Sequence, residues 1–211
     1  MRNIFVRLFP ALKHLNIPNA ITTLGMVFGI AACYFLTQQN LRAALICLSL
    51  AGLMDFVDGF VAVKLNQQTE FGQYVDTLVD FFTCGIIPIW MVFDLLVYKN
   101  DMGSNFHFEN AIVVAGIIFY SVCALWRLAY YNIIEADKYF TGLPVPGSMM
   151  TAVMSVWCRH VLGLPMWFPA AVFFIIGFLM ISGIQLKKYG TWQKIMSVVS
   201  VVFLLVVIFY N

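Results

Sequence analysis

The sequence predicts an all-α integral membrane protein: a bundle of about seven transmembrane helices (six to eight), preceded by an N-terminal amphipathic interfacial helix. Two observations carry that expectation. Of 211 residues, 62% are hydrophobic and only 10% are charged, where a soluble domain carries about 25% charged residues. The apolar residues also run in blocks close to the ~20 residues a helix needs to cross the hydrocarbon core. No internal repeat or low-complexity run breaks the series, so one compact helical bundle is expected.

The first element is "MRNIFVRLFPALKHLNIPN". It has no continuous apolar core and no small-residue cleavage site, so it does not read as a signal peptide. Ile4, Phe5, Leu8, Phe9 and Leu12 recur at helical spacing with Arg2, Arg7 and Lys13 among them, and Pro10 can bend the helix. That pattern reads as an amphipathic segment on the membrane surface; a disordered basic tail is the competing reading. Residues 1–16 form this juxtamembrane segment and 17–211 the transmembrane domain. The spans follow at approximately 18–38, 42–64, 72–98, 110–133, 147–162, 166–184 and 192–210, the fifth being short. Brief polar linkers such as "TQQNLR", "LNQQTEFG" and "LKKYGTWQK" separate them. Cys33, Cys47, Cys84, Cys123 and Cys158 are scattered singly in apolar stretches and read as small core residues.

Orientation follows from lysine and arginine. With the N-terminus in the cytoplasm and seven spans, nine cations fall on the inner side: Arg2, Arg7, Lys13, Lys64, Arg127, Lys138, Lys187, Lys188 and Lys194. Three fall outside: Arg42, Lys99 and Arg159. The bias is positive-inside, and it depends on the fifth span, without which the 187–194 cluster would move outside. The chain is compact with no long targeting extension, which points to a bacterial inner membrane.

This threading gives "DFVDGFVAVKLNQQTEFGQYVDTLVD" its meaning. Asp55 and Asp58 lie in the last turns of the second span, and Asp76 and Asp80 in the first turns of the third. All four sit at the cytoplasmic end of one helical hairpin. At about 100° per residue, Asp55 and Asp58 share an arc with Gly59 and Ala62, while Gly72, Asp76, Asp80 and Thr83 share one face of the next helix. Two carboxylate pairs can thus face each other, with small residues leaving room for close helix approach or a ligand. Converging carboxylates in a poorly solvated site repel unless cations or protons neutralise them. An oxygen-rich set without His or Cys suits Mg²⁺, Mn²⁺ or Ca²⁺, and two such metals are a known device for phosphoryl chemistry. An ion or proton pathway is the non-enzymatic alternative, and four unrelated helix-end aspartates the plainest one.

The same stretch resembles the signature of the CDP-alcohol phosphotransferase family, D-x-x-D-G-x-x-A-R, eight residues, then G-x-x-x-D-x-x-x-D. Asp55, Asp58, Gly59, Ala62, Gly72, Asp76 and Asp80 match it, and Val63 stands where the family has arginine. Lys64 follows, but on a regular helix it points about 180° from Asp55. Several other stretches are similar to the phosphatidylserine synthase branch: "NIPNAITTLGMVFGIAA", "FGQYVDTLVDFFTCGIIP", "WRLAYYN", "KYFTGLPVPGSMMTAV" and, more loosely, "FLMISGIQLKKY". The resemblance touches six of the seven spans.

The resemblance implies that Asp55, Asp58, Asp76 and Asp80 hold two divalent cations, Mg²⁺ or Mn²⁺, and that Asp80 is the catalytic base. It implies CDP-diacylglycerol and L-serine as substrates, CMP and phosphatidylserine as products, membrane lipids as surroundings and a homodimer as the assembly; nucleic acid is not among the partners. Gly59, Ala62, Gly72, Asn19 and Thr22 are then candidate substrate-binding positions, although helix capping also accounts for Asn19 and Thr22. Arg127, deep in the fourth span, reads either as a partner for an aspartate or as an anion clamp. Lys138 reads either as an attractor for the anionic substrate or as a solvated loop lysine. His14, His107 and His160 lie near membrane edges, and Asp94 at the far end of the third span; none joins the site. Two rivals stay open: another acceptor alcohol, such as glycerol 3-phosphate, inositol phosphate or choline, and a membrane metal-binding protein without catalysis, given Val63.

Overall fold

The computed structural model describes residues 10–99, 108–133, 139–187 and 191–209. Helix α1 (Ile17–Thr37) and α2 (Leu41–Lys64) are each unbroken. The third rod has three pieces: α3 (Glu70–Asp80), a π-helical turn (Phe81–Ile86) and α4 (Ile87–Lys99). Then come α5 (Phe108–Ile133), α6 (Val145–Leu162), α7 (Trp167–Ile181) and α8 (Thr191–Phe209). The rods begin and end within a few residues of the expected spans. Two short strands join the all-helical plan: β1 (Tyr139–Thr141) pairs antiparallel with β2 (Gln185–Lys187), Phe140 opposite Leu186. Most of the expected interfacial helix over 1–16 lies outside the described residues; within them, Pro10–His14 is a single 3-10 turn.

Local chemistry explains the boundaries. Asn16 caps α1 by accepting the Asn19 N–H at 2.8 Å, Asn40 caps α2 through Ala43 N–H at 3.0 Å, and Thr69 caps α3 through Gly72 N–H at 3.0 Å. Helix α2 ends in a paired carbonyl lock: Gln67 N–H bonds to Ala62 O at 3.0 Å and Asn66 N–H to Val63 O at 3.2 Å, with Asn66 left-handed at φ +51°. This stop falls just beyond the Ala62–Val63 pair of the signature and forces the chain to turn back into α3.

Among the described residues, four segments are long and apolar enough to cross a membrane: Ile17–Thr37, Leu41–Lys64, Glu70–Asp94 and Ala111–Ile133. Trp167–Ile181 and Val198–Phe209 are apolar but shorter. Helix α6 is of another kind: Val145–Met150 is buried on every side, which makes it the central helix, and it carries Ser148, Ser155 and Arg159. The core is formed around it by Leu45, Leu48, Ile87, Met91, Tyr120, Met149, Met150 and Phe173, all at 1% exposure or less.

Contacts sort the rod ends into two groups. At one end lie the start of α1, the turn between α2 and α3, and the end of α5: Asn16 donates to Gln67 O at 3.3 Å, His14 stacks on Phe71 at 4.6 Å, and Asn132 donates to Thr77 at 2.9 Å. At the other end Arg42, starting α2, donates to the Val207 carbonyl at 2.9 Å and to the Ile208 carbonyl, closing the final turns of α8. The four aspartates belong to the first end.

Candidate metal and substrate site

The site is built by three elements. Helices α1 and α2 form the most extensive packing pair, and α3 with the π turn closes against both. Glycines set the spacing. A Cβ at Gly29 would come within 2.8 Å of Thr83 in the π turn, and one at Gly72 within 2.6 Å of the Asn19 side-chain oxygen. A side chain at either position would force its neighbour to shift.

Between these elements lies a pocket lined by Thr22 and Gly25 from α1, Ala51, Asp55 and Asp58 from α2, and Asp76, Val79, Asp80, Thr83 and Cys84 from the third rod. One carboxylate oxygen each from Asp55, Asp76 and Asp80 lies within 4.8 Å of the others. Asp58 lines the same pocket but is tied elsewhere, accepting the Thr22 hydroxyl at 2.5 Å. The arrangement is three carboxylates together with a fourth held at their edge.

The donor set fits a hard divalent cation. Oxygens on opposite sides of Mg²⁺ stand about 4.2 Å apart and those around Ca²⁺ up to about 5 Å, so a spread of 4.8 Å is within a small side-chain movement of either. Every acidic donor is a carboxylate; Cys84 Sγ lies 4.0 Å from Asp80 Oδ1 and is too soft to compete with oxygen for such an ion.

The other expected positions divide. Thr22 is in the pocket. Asn19 is buried but faces away: its amide donates to His14 O at 2.9 Å, fastening the N-terminal turn. The cap of α1 is Asn16 rather than Asn19 or Thr22. Gly72 makes room for Asn19, whereas a Cβ at Gly59 would meet nothing within 4 Å, so the surface of α2 is open there. Ala62 is half-buried near the end of α2. Arg127 is 7% exposed, lies within electrostatic reach of Asp80 and Asp55, and stands 5.3 Å over the Tyr131 ring. Lys138 lies outside the described residues. Val63 is exposed, and Lys64 places its ammonium over the Phe60 ring at 5.9 Å, so neither supplies a cation to the pocket. Gly25, Ala51 and Val79 also line the pocket, and Cys84, expected from the sequence to be a small core residue, is fully buried and part of that lining; it follows Asp80 by one helical turn, a spacing that points to the same face.

These features define a class: a membrane-type helical bundle with a carboxylate-rich pocket between its first three rods. Residues 15–210 match the family model for CDP-alcohol phosphatidyltransferase, and the chain belongs to that family. Among curated relatives it is 27% identical over 186 residues to the CDP-diacylglycerol–serine O-phosphatidyltransferase of Mycobacterium bovis, covering 82% of this chain and 61% of the relative. The chain thus spans about 61% of the length of that mycobacterial relative. The protein of the same name in Bacillus subtilis is 29% identical over 140 residues, covering 65% of this chain and 73% of the relative. That of Methanocaldococcus jannaschii is 29% identical over 182 residues, covering 86% and 79%.

Proposed function

We propose that the chain transfers the phosphatidyl group of CDP-diacylglycerol to the hydroxyl of L-serine, releasing CMP and leaving phosphatidylserine in the bilayer. The observation that carries the reading is the convergence of Asp55, Asp76 and Asp80 in a chain whose relatives bear that enzyme's name.

The lipid diphosphate enters from the bilayer beside Gly59, where the surface of α2 is open. Asp55, Asp76 and Asp80 would hold divalent cations, Mg²⁺ or Mn²⁺, with Asp58, oriented by Thr22, at their edge; such ions would supply charge neutralisation to the diphosphate and to the departing phosphate. Asp80 accepts the proton of the serine hydroxyl as its oxygen attacks the lipid-bearing phosphorus. Arg127, buried within electrostatic reach of Asp80 and Asp55, orients an anionic group of a substrate. In this reading seven rods cross a bacterial inner membrane, the aspartates face the cytoplasm and the protein works as a homodimer.

The test is CMP release by purified protein given CDP-diacylglycerol, Mn²⁺ or Mg²⁺ and a panel of alcohols. Serine is expected to support release. Release only with glycerol 3-phosphate, inositol phosphate or choline overturns the acceptor. No release with any alcohol, together with unchanged thermal stability in chelator, overturns catalysis.

A further inference from the structure

Pro88 sits inside the third rod, four residues after Cys84. An α-helix pairs the carbonyl at 84 with the N–H at 88, but proline has no N–H and its ring crowds that carbonyl. The rod widens instead: Ile87 N–H bonds to Phe82 O, five residues back. This π turn begins at Phe81, immediately after Asp80, and its Thr83 and Cys84 line the acidic pocket. Two side chains of α5 close on it. The Tyr120 hydroxyl donates to Cys84 O at 2.9 Å, and the Ser121 hydroxyl to Gly85 O at 2.7 Å. Tyr120 is fully buried and stands edge-on to Phe173 of α7 at 5.2 Å. It does not itself line the pocket.

We infer that Tyr120 is a positioning residue for the acidic cluster: its hydroxyl stands in for the N–H that Pro88 lacks, holds the wide turn after Asp80, and so sets where the Asp80 carboxylate points relative to Asp55 and Asp76. The inference rests on the metal-site reading above. Wide helical turns are irregularities that recur at functional sites, and metal ligands require supporting groups that hold them to about 0.5 Å. Here the support comes from a different helix, so α5 carries both Arg127 and, two turns earlier, the clamp on the turn that aims Asp80.

Tyr120→Phe keeps the ring against Phe173 and removes only the hydroxyl. Mn²⁺ affinity, read by electron paramagnetic resonance on the detergent-purified full chain, should weaken by about 10- to 100-fold, the usual effect of removing a group that supports metal ligands. Turnover in the CMP-release assay should fall while KM for serine holds. The double variant Tyr120→Phe/Pro88→Ala returns an N–H to the Cys84 carbonyl and should recover most of the Mn²⁺ affinity. Tyr120→Phe binding Mn²⁺ as the parent does overturns the inference. So does a loss that Pro88→Ala fails to restore, which would leave Tyr120 a packing residue. If the parent binds Mn²⁺ in this Tyr120-dependent way yet releases no CMP with any alcohol, the catalytic reading falls and this one stands; a parent that binds no Mn²⁺ overturns both.

Discussion

Asp58 and Asp80 differ in what holds them. Asp58 is pinned by Thr22 from the neighbouring helix, while Asp80 is 7% exposed and crowded by Asp55 and Asp76. A carboxylate held among other carboxylates is the better placed to exchange a proton, in keeping with the base role proposed for Asp80. Asp80→Asn is expected to cut turnover by about 100- to 10,000-fold, the range general-base catalysis supplies, measured as CMP release. It should not unfold the protein: with one like charge removed, repulsion in the cluster falls, so the melting midpoint in chelator stays level or rises. Retained turnover would remove Asp80 from that role. At this scale the sequence was most legible where spacing on one helix decided the outcome, as for Asp76 and Asp80. It was silent where partners are distant, as for Thr22 and Asp58, or Asn19 and Gly72, because no local periodicity couples two helices.

At the scale of elements, the connections are as specific as the rods. The "GLPVP" turn, which resembles a family motif, lies against the end of α7: Gly142 N–H bonds to Ile184 O at 2.8 Å and Leu143 N–H to Leu179 O at 3.0 Å. Gly142 is left-handed at φ +75°, and a Cβ there would stand 2.0 Å from the Met180 carbonyl oxygen. This glycine holds a turn together whatever the loop contributes to substrate. Gly163, also left-handed at φ +63°, has open space around it. Gly163→Ala should therefore cost about 1–2 kcal/mol of backbone strain alone. Gly142→Ala should cost more, since the clash with backbone adds to that strain. Melting curves of the two variants in detergent check the order, and equal losses would contradict it. Helix α6 shows what composition could not: expected to be a short span, it runs for 18 residues, longer than α7 at 15, and it holds a central position in the bundle, where polar Ser148 and Ser155 are buried and bond to the carbonyls of Pro144 and Ala152.

For the whole molecule, the two groups of rod ends agree with an odd number of crossings. Arg42 meets the end of α8, while the N-terminal turn, the α2–α3 turn and the end of α5 gather opposite. With the N-terminus inside, the end of α8 must then face outward. Alkaline phosphatase fused after residue 211 should be active in a bacterial host, and the same enzyme fused within 188–190 inactive. An inactive C-terminal fusion would break the seven-crossing threading and the orientation inferred from lysine and arginine with it.

By itself the sequence determined the helical membrane class, the approximate rods and the four aspartates as a unit, because hydropathy and spacing along one helix are local quantities. Only the tertiary structure decided that three carboxylates converge while Thr22 holds the fourth, that Gly72 admits Asn19 and Gly59 leaves open surface, and that Tyr120 reaches the turn broken by Pro88. Each of these is a contact between helices far apart in the chain, and such contacts exist only once the bundle has packed.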